Sequence, residues 1–347
     1  MKISNRKIDI NHPPFLIAEM SGNHNKSINR ALKIVSEAAK NGADIIKLQT
    51  FKPETLTIDS NKKDFLINDK KSLWNGKKLY DLYKETHTPW EWHKPIIDEA
   101  KKHNLLWFSS PFDETAVDFL EDLNIPAYKV ASFENTDFNL IKKIASTKKP
   151  MIISTGMASL NDLKLLIECI KDYNINDFAL LKCTSSYPAP PNDANILTIP
   201  DMRNKFNCEI GLSDHTLGIG VALTAVAHGA SIIEKHLTLK RSEGGLDSAF
   251  SIEPNELYYL RNETEKSWLA LGKVFYGPTK SELNSLKYKR SIYVTDDVKV
   301  GDVLTINNVR VIRPGYGIEP IHFDKILGKK FKKNLEKGTP LSWELIE

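Results

Sequence analysis

Eight short β-rich apolar runs alternate with helical segments between residues 15 and 271, and this alternation limits the folds open to the chain. The runs are FLIAEMS (15–21), DIIKLQT (44–50), LLWFSSP (105–111), AYKVAS (127–132), MIISTG (151–156), FALLKCTS (178–185), CEIGLSD (208–214) and SIIEKHLTL (231–239). Most are continuously apolar, as parallel strands covered on both faces are. The segments between them carry helix signals. Ser27 precedes INRALKIVSEAAKN, which Gly42 ends, and Ser159 forms a capping box with Asp162. Pro89 suits the first helical position of WEWHKPIIDEAKKH, although Pro95 falls inside that segment. Right-handed β/α crossovers leave two architectures, a doubly wound sheet or a closed barrel.

Polar residues at the run ends decide between them. Glu19, Lys47 with Gln49, Ser109 with Ser110, Lys129 with Ser132, Ser154, Thr184 with Ser185, Ser213 with His215, and His236 are spread over all eight ends. A doubly wound sheet concentrates its chemistry at one switch point, whereas a barrel collects it from every strand on one rim. Residues 1–270 are therefore expected to form a (β/α)8 TIM barrel. The polar segment 52–88 is long for one helix and its loops, and is expected to cover the rim. Residues 271–288 read as a linker. Short strands with Gly, Asp and Pro turns follow over 289–347, a piece with marginal stability of its own that needs something to dock on.

Composition narrows the functional classes. A net charge of +4 gives no footprint for nucleic acid, and the excess lies from Thr279 onward, where 13 basic residues face 9 acidic ones. No apolar run reaches about 18 residues, so no membrane helix is expected. The polar N-terminus lacks the apolar core of a secretory signal. Cys169, Cys183 and Cys208 share no metal-like spacing, and a reducing cytoplasm is the expected setting.

The residues with chemical potential fall into a few groups. His215 and His236 end adjacent strands if the barrel closes, so they can share one divalent ion, with Asp214, Glu234 or Glu19 as further ligands or supports. Lys47 and Lys129 lie inside apolar runs, where an ammonium needs an anionic partner. That partner is either a protein carboxylate or a small polyanion. The rim hydroxyls of Ser110, Ser132, Ser154, Ser185 and Ser213 favour a ligand bearing phosphate and carboxylate. Glu19 suits general acid–base work or a salt bridge to a rim lysine. Asn23 and His24 follow in the same loop as candidates for sugar hydroxyls, with Glu134 and Asp247 similarly placed. Trp74, Trp90 and Trp92 flank the second β/α connection, as a sugar-stacking wall or as the core of a lid. No Gly-rich phosphate loop and no nucleophile–histidine order stands out.

At these residues the sequence resembles the sialic-acid synthase family. AEMSGNHN, IIKLQTF, SSPFD, YKVAS, STGMA, LKCTSSYP, GLSDHT and EKHLTL follow in the family's order, and RPGYGI resembles its C-terminal antifreeze-like SAF domain. AEMSGNHN, SLWNGKKLYDLYKETHTPWEWH and GGLDSAFSIEP look like the pseudaminic acid branch more than the neuraminate or legionaminate branches. The resemblance implies condensation of phosphoenolpyruvate with 2,4-diacetamido-2,4,6-trideoxy-altrose, giving pseudaminic acid and phosphate. It implies Lys47, Ser110, Lys129, Ser132, Ser154, Ser185 and Ser213 as phosphoenolpyruvate contacts. Ser110 stands where relatives can have Thr, and Ser185 where neuraminate synthases can have Asn. It further implies His215 and His236 as ligands of manganese, magnesium or cobalt, Glu19 as the catalytic carboxylate, and Tyr187 and Asp247 as sugar contacts. Arg313 matches an arginine that reaches the partner's site, which implies a domain-swapped homodimer. The alternatives are another synthase of the family, a metal-dependent aldolase or lyase on the same barrel, and a non-catalytic carbohydrate-binding protein.

Overall fold

The computed structural model describes residues 1–70 and 72–347, in two compact units, Met1–Gly272 and Lys273–Glu347. In the first unit eight parallel strands close a barrel. They are β1 (Phe15–Glu19), β2 (Ile45–Thr50), β3 (Leu106–Pro111), β4 (Tyr128–Val130), β5 (Met151–Ser154), β6 (Phe178–Cys183), β7 (Glu209–Asp214) and β8 (Ile232–His236). Each lies inside one of the eight apolar runs. Closure is made by β8 against β1, with His236 opposite Glu19. The TIM-like architecture expected from the sequence is thus the one observed.

The helices follow their caps. Ser27 accepts a hydrogen bond from the Arg30 amide at 3.3 Å and opens Ile28–Lys40. Ser159 and Asp162 cap Leu160–Asp172 reciprocally. Pro89 is the cap of Trp90–Lys102 rather than its first residue, and the helix runs through Pro95. The turn tolerates that proline because the unpaired carbonyl belongs to Glu91, an exposed residue that water can reach.

Side chains alternate along each strand between the barrel interior and the helix layer. This parity sends Lys47, Lys129, Ser154, Ser213 and Glu234 toward one cavity at the strand ends. It sends Asp214 and Lys235 to the other face, where they form a buried ion pair at 2.8 Å. Gly211 of β7 allows close packing inside the barrel: a Cβ there would lie 2.4 Å from the Ile232 carbonyl oxygen and 2.6 Å from Leu181 Cδ2. Neither the β8 backbone nor the packed leucine has room to retreat. Gly211→Ala is expected to destabilise the barrel by about 3 kcal/mol, read as a fall of several degrees in the melting temperature.

The 52–88 connection carries the short helices Pro53–Leu56 and Leu79–Thr86 and spans the cavity mouth. From it the Trp74 indole donates to the Leu246 carbonyl at 3.2 Å, after β8. This segment covers the rim, as its length suggests. No helix among the described residues is long and apolar enough to cross a membrane.

The second unit pairs β9 (Ser291–Val294) antiparallel to β10 (Val309–Ile312) and adds short helices, among them the 3-10 helix Lys280–Tyr288 and the α-helix Phe323–Ile326, with isolated bridges between its turns. Ile292, Val294, Leu304, Phe331, Leu341 and Ile346 form its own small core. Residues 273–290 ahead of β9 are exposed.

Candidate active site

The strand ends of the barrel enclose a cavity of about 310 Å³. The sequence-predicted residues Lys47, Lys129, Ser132, Ser154, Ser213, Tyr187, Asp247, His215 and His236 line it, together with Gln49, Trp74, Glu134 and Glu234. Lys47 Nζ lies 2.7 Å from Glu19 Oε2 and 2.9 Å from Glu234 Oε1. Lys129 Nζ donates to Ser154 Oγ at 2.7 Å and to the Val130 carbonyl at 3.0 Å, and lies 3.9 Å from Glu234. Both lysines are buried. Burial pushes Lys47 down to about 8; Glu234 opposes this and the neighbouring Lys129 charge reinforces it. Ser185 Oγ donates to Ser132 Oγ at 2.8 Å. Gly156 passes behind this pair with a φ of +49°, where a Cβ would lie 2.6 Å from Ser132 Cβ.

The two histidines meet on the next side, with ring centroids 5.3 Å apart. His215 Nδ1 donates to the Thr184 carbonyl at 3.0 Å; burial opposes the charged ring, but Cys183 and this carbonyl favour it and raise His215 above the ordinary imidazole value. His236 Nδ1 is buried without a hydrogen-bond partner, 3.9 Å from Asp247 Oδ2. Burial, followed by the charges of His215 and Lys47, holds His236 well below the ordinary imidazole range, so it is neutral. Asp247 accepts from Ser21 Oγ. Phe250 packs 4.9 Å from His236, and Tyr187 4.6 Å from His215.

Other expected residues lie off the cavity. Asn23 is wholly buried, and its amide donates to the Leu237 carbonyl at 3.0 Å and to Ser251 Oγ at 2.9 Å. Its amide nitrogen thus ties two loops together, while its Oδ1 is buried without a hydrogen-bond partner. Glu19 is also wholly buried; beside its ion pair with Lys47 it accepts from Gln49 Nε2 at 3.0 Å. The salt-bridge alternative for Glu19 is the geometry observed. Ser110 is buried away from the cavity lining, and Ser185 stands behind it, in contact with Ser132 and Cys183 of the lining. His24 packs edge-on against Trp92, with centroids 5.5 Å apart, and burial lowers it to about 4. Trp90 stacks on Phe119 at 4.4 Å, so of the three tryptophans Trp74 lines the cavity and the other two pack. Arg313 lies in the second unit, at the end of β10.

Comparison with known proteins follows the same outline. The NeuB family pattern matches residues 34–276, and the SAF domain pattern matches 289–347. The chain belongs to the NeuB family. It is 41% identical over 327 residues to the pseudaminic acid synthase of Campylobacter jejuni subsp. jejuni serotype O:23/36 (strain 81-176), covering 94% of this chain and 95% of that one. It is 40% identical over 336 residues to the pseudaminic acid synthase of Helicobacter pylori, covering 96% and 98%. Among solved structures it resembles the N-acetylneuraminic acid synthetase of Leptospira borgpetersenii, with a TM-score of 0.73 and 32% identity over 82% of this chain and 94% of that one.

In this NeuB-family barrel, Glu134 lines the cavity beside the lysines. Burial raises its carboxyl to about 7, against the pull of Lys129. Glu134 therefore changes protonation near neutrality, which its sequence position alone does not signal. No group of three or more metal-ligating side chains occurs among the described residues. The donors that do meet are two imidazole nitrogens and, beside them, the Asp247 carboxylate. A neutral, buried and unpartnered Nδ1 on His236 fits a divalent cation completed by ligands from outside the protein.

Lys47 carries a pH prediction. Its ammonium is present below about 8 and lost above it, so affinity for an anion falls as pH rises through that value. Affinity for inorganic sulfate as a probe anion is expected to decline above about pH 8 in the wild type. In Lys47→Arg, which stays charged, the alkaline limb should disappear even if absolute affinity is lower. An unchanged limb in the arginine variant counts against this assignment.

Proposed function

We propose that this protein is a pseudaminic acid synthase. It condenses phosphoenolpyruvate with 2,4-diacetamido-2,4,6-trideoxy-β-L-altropyranose and water, giving pseudaminic acid and phosphate. The observation that carries this reading is the convergence of Lys47 and Lys129, the Ser132–Ser154–Ser213 hydroxyls and the His215–His236 pair on one cavity. The likeness to pseudaminic acid synthases over nearly the whole chain supports the choice of sugar.

Lys47, Lys129 and the serines hold the phosphate and carboxylate of phosphoenolpyruvate, with C3 facing the aldehyde carbon of the open-chain sugar. A new bond forms between C3 and that carbon. Water adds at C2, and phosphate leaves by C–O cleavage. When bound at His215 and His236, a divalent cation, with manganese preferred over magnesium or cobalt, supplies Lewis-acid polarisation of the aldehyde oxygen. Glu134, half-protonated near neutrality, gives a proton to the oxygen that becomes a hydroxyl or takes one from the attacking water. Glu19 orients Lys47 through their ion pair. Tyr187 and Asp247 face the sugar.

We extend the reading to a cytoplasmic homodimer. The thiols of Cys169, Cys183 and Cys208 are free, as a reducing compartment keeps them. Val274 and Tyr276 in the linker are 90% and 93% exposed, an apolar run that a second copy would cover, with Arg313 delivered to the partner's site.

The test is direct. The protein is incubated with phosphoenolpyruvate, manganese and the diacetamido sugar, or with N-acetylmannosamine in its place, and phosphate and product mass are measured. Phosphate release with the diacetamido sugar, and a product of pseudaminic acid mass, are expected. Release with N-acetylmannosamine alone would reassign the acceptor, and release with neither sugar would overturn the function.

A further inference from the structure

The cavity has a second wall that the chemistry above leaves unused. The cavity is also lined by Phe51, Ile67, Leu79, Leu82, Tyr83 and Phe112, none of which is charged near neutral pH. Leu79, Leu82 and Tyr83 recur at the spacing of one helical stripe on Leu79–Thr86, and that stripe faces inward. Phe51, only 2% exposed, anchors the wall, with Tyr83 and Phe112 edge-on at 6.0 and 5.2 Å. The 52–88 connection is thus more than a cover: it supplies most of an apolar surface inside a cavity that elsewhere carries lysines, carboxylates, histidines and hydroxyls.

We infer that this wall is the specificity subsite for the methyl groups of the acceptor, the deoxy C6 methyl and an acetamido methyl. The inference rests on the function proposed above and deepens it. A fully hydroxylated sugar would bury hydroxyl groups here without partners, at a cost that grows with each one. A trideoxy diacetamido sugar carries methyl groups instead, and phosphoenolpyruvate has none to offer. The wall and the lysines line one cavity, so an acceptor seated on the wall lies beside phosphoenolpyruvate held at the lysines.

The test compares two acceptors on the unmodified protein, the 6-deoxy diacetamido sugar and its counterpart with a C6 hydroxyl. An apolar site discriminates against an added hydroxyl by roughly 10- to 100-fold, and kcat/KM is expected to differ by that amount. Leu79→Asn, at a half-buried position of the wall, should lower kcat/KM for the deoxy sugar about tenfold and narrow the preference, while leaving KM for phosphoenolpyruvate unchanged. Leu79→Met should keep the preference. A preference within about threefold in the wild type, or one that Leu79→Asn leaves intact, overturns the subsite. So does a Leu79→Asn variant that loses only self-association, which would assign the wall to a second copy. Absence of phosphate release with both sugars would instead remove the underlying synthase function, and this inference with it.

Discussion

Lys129→Met is expected to lower kcat/KM for phosphoenolpyruvate by about 1,000-fold, equivalent to about 4 kcal/mol of binding to the reacting complex. Lys129 is 1% exposed, and its ammonium is held at the strand end by Ser154 Oγ and the Val130 carbonyl. A charge fixed in that way, out of water, gives an anion far more than a mobile surface lysine gives it. Methionine keeps the length and apolar volume of the stem but removes the charge. The fold should survive, because Glu234 keeps its closer partner Lys47 at 2.9 Å, against 3.9 Å to Lys129. The checks are steady-state kinetics with phosphoenolpyruvate varied, and a melting curve. A tenfold effect or less, with an unchanged melt, would mean that Lys129 serves Glu234 rather than the substrate.

Much of this arrangement was legible in the sequence, for a physical reason. Parallel strands buried on both faces write themselves as unbroken apolar runs, so an ionisable residue inside one stands out. Lys47 and Lys129 were visible in that way. Strand parity then separates such residues by face. Glu234 falls inside with the lysines, while Lys235 falls outside and pairs with Asp214. Outside the strands that logic is lost. Asn23 looked like a sugar ligand because it follows the first strand, yet it lies in a short 3-10 turn whose direction no periodicity sets, and its amide is used by Leu237 and Ser251. At its strand end Glu19 suits either a catalytic or a paired carboxylate, and the fold decides by bringing both Lys47 and Gln49 onto it. The apolar wall was missed for a related reason. Phe51, Ile67 and Leu79 are far apart in a segment that reads as polar, and only its folding over the rim brings them together.

His236→Ala should abolish most turnover, by about 1,000-fold, and the same variant separates metal binding from folding. In the folded chain the ring is neutral, since burial and the nearby charges of His215 and Lys47 all oppose protonation. A neutral imidazole with a buried, unpartnered Nδ1 is costly to keep unless something uses that lone pair. Removing it therefore relieves the protein while weakening the cation. Manganese affinity, followed by electron paramagnetic resonance or calorimetry on metal-stripped protein, is expected to fall about 100-fold or more. The melting temperature of the same stripped protein should hold or rise, because the variant no longer buries a polar atom without a partner. A structural histidine would behave in the opposite way, with melting lowered and manganese affinity unchanged. The two readouts move in opposite directions for the two roles, so chelation, affinity and melting together decide whether His236 is there for the cation or for the fold.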